Sequence, residues 1–260
     1  MALPETLEDT WPRQDAAADG LIHPVPLLSI IIPVLNGAGD LGKTLASLVG
    51  RGAEGEEGLR LSNVIVAEII VADGGSTDTS TAIAKDHGAK VLGGERGRGP
   101  QLAAGAASAT GDWFLFLHAD TRLDPGWRTE AARYMSDPVN RDGAAVFRFA
   151  LDDRSRGARR VEWGVHRRAR WFGLPYGDQG LLISRDLYER LGGYAPLPLM
   201  EDVDMIRRIG KRRITFLDSA AITSAARYGK GYLRRTALNQ VCLALYVLGV
   251  PPRWIVRIYK

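Results

Sequence analysis

Four strand-like runs in the first half of the chain constrain the fold more than any other feature. The long ones are continuously apolar instead of alternating, which is typical of strands covered on both faces. Helix-like stretches separate them, and this alternation predicts an α/β fold with a mostly parallel sheet and helices on both faces. The runs are Leu27–Leu35, Val64–Ala72, Lys90–Leu92 and Asp112–Leu117.

The helix-like stretches and the later strands are less regular. A glycine- and arginine-rich loop, Gly93–Gly99, is predicted to carry Arg98, and Gly50–Ser62 is predicted to be a second loop. Predicted helices are Asp40–Val49, Gln101–Ala109, Arg154–Trp171, Glu201–Ile209 and, as the last one, Gly231–Leu248. Further predicted strands are Ala144–Leu151 and Leu181–Ser184.

Polar residues follow three of the predicted strands directly. These are Asn36, Asp73 and the triplet His118-Ala119-Asp120. The carboxyl ends of parallel strands meet at one edge of the sheet, where α/β proteins bind their ligands. Each residue alone fits an ordinary turn. Three such groups, each ending a buried strand, favour a binding site over three unrelated turns.

Composition excludes several classes of protein. The 260 residues are 45% hydrophobic and 25% charged, as in ordinary globular proteins. The single cysteine, Cys242, excludes an internal disulfide framework and a cysteine-based zinc site. The net charge is only +4, and aromatic residues are not interleaved with basic ones, so we expect no nucleic-acid binding.

The chain divides into three predicted parts. Residues 1–25 are expected to be a flexible N-terminal arm, without the apolar core of a signal peptide. Residues 26–230 are expected to form one domain, and residues 231–260 a C-terminal helical tail that packs on the domain or faces a membrane. No apolar run reaches the roughly 18 residues of a membrane span, so a cytoplasmic protein is expected.

Two segments allow either a membrane contact or an ordinary solvated surface. Arg154–Trp171 carries seven arginines together with Trp163, and Gly231–Leu248 carries an apolar stripe. Both could lie on an anionic bilayer, which would make the protein peripheral at the inner face of the membrane. The alternative is a solvated basic helix and a packed last helix.

The segment Gly37–Thr44 matches the phosphate-loop pattern GxxxxGK[ST], between a strand and a helix. In that interpretation Lys43 pairs with phosphates and Thr44 holds magnesium, as in P-loop nucleotide hydrolases and kinases. The same residues also fit an ordinary helix start, with Asp40 near its N-terminus and an inward leucine stripe.

Five ordered segments carry a family resemblance: LSIIIPVLN, EIIVADGGSTDTS, GRGPQLAAGAASATGDWFLFLHADT, GDQGLLI and GGYAPLPLMEDVDM. Together they resemble the family 2 inverting glycosyltransferases with a GT-A fold, over about residues 27–250. The likeness is greatest to a small bacterial branch associated with radical-SAM and selenium-related proteins. It implies a Rossmann-like sheet and metal-dependent transfer of a sugar, with inversion, from a UDP- or GDP-linked donor to an unknown acceptor hydroxyl.

The resemblance implies donor-binding roles for the strand-end residues. Asp73 is similar to the aspartate that reads the nucleotide base. Asp120 stands where the family carries its Asp-x-Asp motif and is the expected ligand of Mg²⁺ or Mn²⁺. The other implied donor-binding residues are Pro33, Asn36, Arg98, Gln101, His118, Ala119 and Arg227.

The resemblance also implies a base and an acceptor side. Asp202 is the expected base that deprotonates the acceptor hydroxyl, supported by Glu201. Asp178 and Gln179 are expected to face the acceptor or the donor sugar, and a lipid-linked acceptor would fit a membrane contact.

Three residues depart from the family pattern. Gly37 stands where many members have glutamate, Ala103 where asparagine is common, and His118 in place of the first acid. They leave open a non-catalytic nucleotide-binding protein of the same fold.

Overall fold

The computed structural model describes residues 26–49, 65–229 and 231–259. The predicted N-terminal arm, the loop Gly50–Ser62 and the first residue of the second predicted strand lie outside the described residues. The strands are β1 (Leu27–Val34), β2 (Ile65–Asp73), β3 (Lys90–Gly93), β4 (Trp113–Phe116), β5 (Thr121–Leu123), β6 (Ala144–Leu151), β7 (Leu181–Ser184) and β8 (Ile214–Thr223). The helices are α1 (Ala38–Val49), α2 (Ser80–Asp86), α3 (Arg98–Ser108), α4 (Trp127–Ser136), α5 (Arg156–Phe172), α6 (Arg185–Arg190), α7 (Glu201–Ile209), α8 (Tyr232–Val247) and α9 (Pro252–Tyr259).

Within the described residues the strands form one eight-stranded sheet, in the order β3-β2-β1-β4-β7-β6-β8-β5. The four strands of the first half are parallel, as predicted. Strand β7 runs antiparallel to both β4 and β6, and β5 runs antiparallel to β8, while β6 and β8 are parallel. The α/β fold is confirmed, and each antiparallel pair includes a strand from the second half of the chain.

Burial explains the continuous apolar pattern of β1. Every residue from Leu28 to Val34 is buried, because side chains alternate between two faces and helices cover both. Ile30 and Ile32 pack with Leu45 of α1, while Ile31 packs with Leu102 of α3. Each such aliphatic side chain contributes about 1.5–3 kcal/mol on burial. The β1 end is therefore a rigid platform for the polar residues that follow it.

Helix α3 begins three residues earlier than predicted. Gly97 has φ 140°, a conformation that favours glycine, and Arg98 is already helical. Pro100 is tolerated because the first helical turn has unpaired N–H groups anyway. Arg98 and Gln101 thus project from the first turn of a helix, which corrects their expected position in or beside a loop.

The C-terminal part contains one more helix than the sequence indicated. The helix expected over Gly231–Leu248 spans Tyr232–Val247, and α9 follows it after Pro251, so α8 is not the last helix. Cys242 and Ile255 of these helices are fully buried and pack against Val203 of α7 and Leu199 just before it. Among the described helices, none combines the length and apolar character that crossing a bilayer requires.

Candidate active site

A cleft of about 750 Å³ opens at the carboxyl ends of β1 and β4. It is the size of a typical small-ligand pocket. The predicted donor-binding residues that line it are Pro33, Asn36, Arg98, Gln101, His118, Ala119, Asp120 and Arg227. The cleft therefore lies where the ends of the parallel strands predicted it. Residues from later in the chain, such as Arg227, complete its wall.

Asn36 ties the loop after β1 to the turn after β2. It lies in the left-handed region at φ 52°, which asparagine tolerates better than most residues. Its N–H donates to Ser76 Oγ at 2.9 Å, and its Oδ1 accepts from the N–H of Thr77 at 2.8 Å. Asp78 accepts from the N–H of Ala38 at 3.0 Å, at the start of α1. These bonds hold two loops of the rim in one arrangement.

Asp73 and Gln101 hold the ends of β1 and β2. The Asp73 carboxylate accepts from the N–H groups of Gly75 at 3.1 Å and Ser76 at 3.0 Å, and the residue does not line the cleft in the described structure. Gln101 Nε2 donates to the carbonyls of Val34 at 2.7 Å and Ala72 at 2.6 Å. Both side chains are engaged in shaping the rim.

The phosphate-loop interpretation of Gly37–Thr44 is wrong. The segment is helical from Ala38 onward, so its backbone N–H groups do not wrap a ligand. The Lys43 side chain is 66% exposed and lies 3.6 Å from Asp40. Thr44 is fully buried, and its hydroxyl donates to the carbonyl of Ala119 at 2.8 Å. The segment serves as a helix start and as a support for the His118–Asp120 triplet.

Asp120 presents one carboxylate oxygen that no described residue binds. Its Oδ2 lies 2.7 Å from Arg227 Nη2, whereas its buried Oδ1 has no hydrogen-bond partner among the described residues. No group of three or more His, Cys, Asp or Glu residues that could hold a metal occurs in the described ranges. Mg²⁺ is commonly held by one or two carboxylates together with substrate phosphates. The free oxygen of Asp120 fits that kind of ion.

His118 is a neutral imidazole. Burial, followed by the charges of Arg98 and Arg227, lowers its pKa well below the ordinary value of 6.5. Arg98 Nη1 lies 3.5 Å from His118 Nε2. The histidine therefore adds no charge to the cleft and provides one polar ring between Arg98 and Arg227.

A second cavity, the inner cavity, lies beside the cleft and measures about 70 Å³. Asp202 lines it, and Arg98, His118 and Arg227 line both spaces. Asp202 Oδ2 accepts from the N–H of Gly177 at 2.9 Å. A Cβ added at Gly177 would come within 2.7 Å of His118 Nε2 and 3.4 Å of Asp202 Oδ2. Asp202 is thus held next to the His118–Asp120 triplet.

Glu201 faces the protein interior. Its side chain is 1% exposed, and Oε1 lies 3.2 Å from Arg98 Nε without an aligned hydrogen bond. Burial raises the pKa of Glu201 to about 7, although Arg98 acts against this. Burial lowers the pKa of Arg98, but the carboxylates of Glu201 and Asp202 outweigh it and raise that pKa above its usual value. Glu201 therefore holds Arg98 in place.

The side chains of Asp178 and Gln179 lie in different surroundings. Asp178 lines the inner cavity, its Oδ1 has no hydrogen-bond partner in the described part of the chain, and burial raises its pKa to about 6. Gln179 is 1% exposed, and its Nε2 donates to the carbonyl of Phe147 at 3.0 Å. Gln179 lines neither the cleft nor the inner cavity, so its expected contact with a substrate stays a prediction.

Several residues of the inner cavity were missed at the level of sequence. They come from the segment before Gly177, from the turn after β8 and from the C-terminal helices, and they are Tyr176, Tyr228, Arg235, Asn239 and Tyr259. Tyr176, two residues before Asp178, and Tyr228, next to Arg227, lie near predicted site residues. The others sit in stretches that carry no local signal beyond helical periodicity.

Comparison with known proteins defines the class. Residues 29–194 match the profile described as Glycosyl transferase family 2. That is more than half of the chain, so the chain belongs to this family and is a glycosyltransferase.

Solved structures agree with the GT-A fold. Glucosyl-3-phosphoglycerate synthase from Mycobacterium tuberculosis, in complex with Mn²⁺ and UDP, is 20% identical with a TM-score of 0.56, over 87% of this chain and 81% of that one. A mannosyltransferase from Pyrobaculum calidifontis, in complex with GDP-Man and Mn²⁺, is 18% identical with a TM-score of 0.58, over 84% and 62%. Mannosyl-3-phosphoglycerate synthase from Rubrobacter xylanophilus is 18% identical with a TM-score of 0.56, over 86% and 75%. At these identities the likeness supports the fold.

Proposed function

We propose that this glycosyltransferase transfers a sugar from a UDP- or GDP-linked donor to an acceptor hydroxyl, with a divalent cation and with inversion. The donor's diphosphate lies in the cleft beside Asp120, and the acceptor approaches from the side of Asp202. The observation that carries the proposal is the shared boundary of the two spaces, where Arg98, His118 and Arg227 contribute to both.

Asp120 would hold Mg²⁺ or Mn²⁺ through its unpartnered Oδ1. The ion supplies positive charge that stabilises the departing nucleoside diphosphate. Arg227, already 2.7 Å from Asp120, and Arg98 add fixed positive charge at the same boundary. The neutral His118 can donate a hydrogen bond to an anion without altering that charge balance. Three solved structures of two relatives, in complex with UDP or GDP-Man and Mn²⁺ or Mg²⁺, support this assignment.

Asp202 acts as the base. Its carboxylate takes the proton of the acceptor hydroxyl as that oxygen forms a bond to the anomeric carbon. The bond from the anomeric carbon to the diphosphate breaks at the same time, and the electron pair leaves with the nucleotide. Attack from the face opposite the leaving group inverts the configuration. The Gly177 N–H fixes the orientation of Asp202, and Glu201 fixes Arg98 beside it.

The exposed side chains of helix α5 favour a peripheral membrane contact. In a cytoplasmic protein this contact is at the inner face of the membrane. Trp163 is 61% exposed and Trp171 is 62% exposed. The Arg167 guanidinium lies between them, 4.6 Å and 4.1 Å from the two ring centroids. Exposed tryptophans beside arginines suit an anionic lipid surface. In this proposal residues 26–230 are the catalytic domain and residues 231–260 a tail packed on it.

Calorimetry with UDP, GDP and ATP, each with and without Mn²⁺, tests the donor assignment. We expect metal-dependent binding of UDP or GDP that Asp120→Asn weakens at least tenfold. Lys43→Ala is the matched control, since Lys43 faces solvent outside the cleft and its loss should leave binding unchanged. Tight ATP binding that requires Lys43, or nucleotide binding that ignores both Mn²⁺ and Asp120, would contradict the proposal.

A further inference from the structure

The inner cavity contains more unsatisfied polar groups than a closed protein interior tolerates. Four of its lining residues have a buried side-chain atom with no hydrogen-bond partner among the described residues: His118 Nδ1, Tyr176 Oη, Asp178 Oδ1 and Asn239 Oδ1. Buried polar atoms in native structures are nearly always paired. Four such groups around one space make the inner cavity a polar site, suited to a molecule with several hydroxyl or other hydrogen-bonding groups.

The charges around the inner cavity leave one arginine without an acidic partner. Arg98 pairs with Glu201, and Arg227 pairs with Asp120. Arg235 of α8 donates from Nη2 to the Tyr259 hydroxyl at 2.5 Å and lies 4.3 Å from the Tyr259 ring centroid. No ion pair of Arg235 occurs with any residue in the described ranges. A guanidinium is well matched to carboxylate and phosphate groups, which it can bind with two parallel hydrogen bonds.

We propose that the inner cavity is the acceptor subsite, that the acceptor is a small polyhydroxylated molecule carrying a phosphate or carboxylate group, and that Arg235 binds this group. The proposal rests on the proposed function, because Asp202 lines the same cavity and is the base for the attacking hydroxyl. Tyr176, Asp178 and Asn239 hydrogen-bond the remaining hydroxyls. Arg235 is then the residue that selects an anionic acceptor over a neutral one.

The inner cavity is too small for the proposed acceptor unless the C-terminal helices move. A volume of about 70 Å³ equals roughly two water molecules and is far below the usual range for ligand pockets. Asn239 of α8 and Tyr259 of α9 form one wall. The proposal therefore requires these helices to move outward as the acceptor enters, so that its anionic group replaces the Tyr259 hydroxyl at the Arg235 guanidinium.

Calorimetric titration of the full chain with glycerol 3-phosphate, and separately with glycerol, tests the proposal. The cleft is first saturated with UDP or GDP and Mn²⁺. We expect the phosphate ester to bind and glycerol to show no detectable heat. Arg235→Ala should weaken binding of glycerol 3-phosphate at least tenfold, and Arg235→Lys should recover part of the loss because it keeps the charge. Arg234→Ala, at the exposed neighbouring position, is the matched control and should match the parent protein.

The same experiment separates the two proposals. Failure of UDP and GDP to bind would overturn the proposed function. Nucleotide binding followed by no glycerol 3-phosphate binding, by equal binding of glycerol, or by binding that Arg235→Ala leaves unchanged would overturn only the anionic acceptor subsite. A further arm uses a short prenyl phosphate: tighter Arg235-dependent binding of this lipid would overturn the polyhydroxylated acceptor in favour of a lipid-linked one, and weaker binding than that of glycerol 3-phosphate would support the proposal.

Discussion

Replacing Arg98 by alanine should destabilise the protein in a way that depends on pH. Glu201 is buried beside Arg98, and its pKa is raised to about 7 from an ordinary 4.5. In the parent protein, stability is therefore lost as the pH rises from 4.5 through 7, because the folded state holds the proton more tightly. Without Arg98 the pKa of Glu201 rises further, and the loss continues above pH 7.

The expected loss of stability in Arg98→Ala follows from the pH range over which Glu201 titrates. At pH 5.5 Glu201 is protonated in both proteins, so Arg98→Ala costs only the lost packing, about 1 kcal/mol. Above pH 7 the cost grows by about 1.4 kcal/mol per pH unit, which adds about 3 kcal/mol to the packing loss and gives about 4 kcal/mol in total at pH 9. This total lies within the 3–5 kcal/mol known for breaking a buried ion pair.

Urea denaturation at pH 5.5, 7 and 9 measures the free energy of unfolding of both proteins. Glu201→Gln in each background is the control, since it removes the titrating group and should abolish the pH dependence of the cost of Arg98→Ala. An equal cost of Arg98→Ala at all three pH values, or a pH-dependent cost that persists in the Glu201→Gln background, would refute the reasoning.

Three more predictions follow from packing, burial and exposure. Gly105→Ala should cost about 1–3 kcal/mol in urea denaturation because its Cβ would overlap Ile31, whereas Gly164→Ala, with open space around it, should stabilise by about 0.5–1 kcal/mol. Asp178→Asn should stabilise by up to about 3 kcal/mol at pH 7.5 and little at pH 3.8, because the pKa of Asp178 is raised to about 6 and its charge opposes folding above that value. Trp163→Ala should weaken salt-sensitive flotation with anionic liposomes, and unchanged flotation would exclude that contact.

The first half of the fold was predictable chiefly because its central strands, β1 and β4, are buried on both faces. A continuous apolar run such as Leu27–Leu35 has few other interpretations when turn residues bound it. Strand β5 has only three residues, too short for any period to emerge. Strand β8 mixes buried and half-exposed positions, so Ile214–Thr223 lacked a clear pattern.

The candidate site was predictable where it follows strands. Asn36, Asp120 and their neighbours were located by the rule that parallel strands end at one edge. Arg235 and Asn239 were not, because they join the inner cavity through the packing of α8 on the residues beside α7, a contact that no short motif encodes. The phosphate-loop pattern gave a wrong prediction because the sequence pattern alone does not distinguish a phosphate-binding loop from the start of an ordinary helix.

Donor hydrolysis by Asp202→Asn tests the central claim most directly. The assay follows release of nucleotide from a panel of UDP- and GDP-hexoses with Mn²⁺, with water in place of the acceptor. Our account predicts a loss of about 10²–10⁴-fold in kcat, with unchanged affinity for the nucleotide, because the amide still accepts from Gly177 but takes no proton. Turnover by Asp202→Asn within threefold of the parent protein would contradict it.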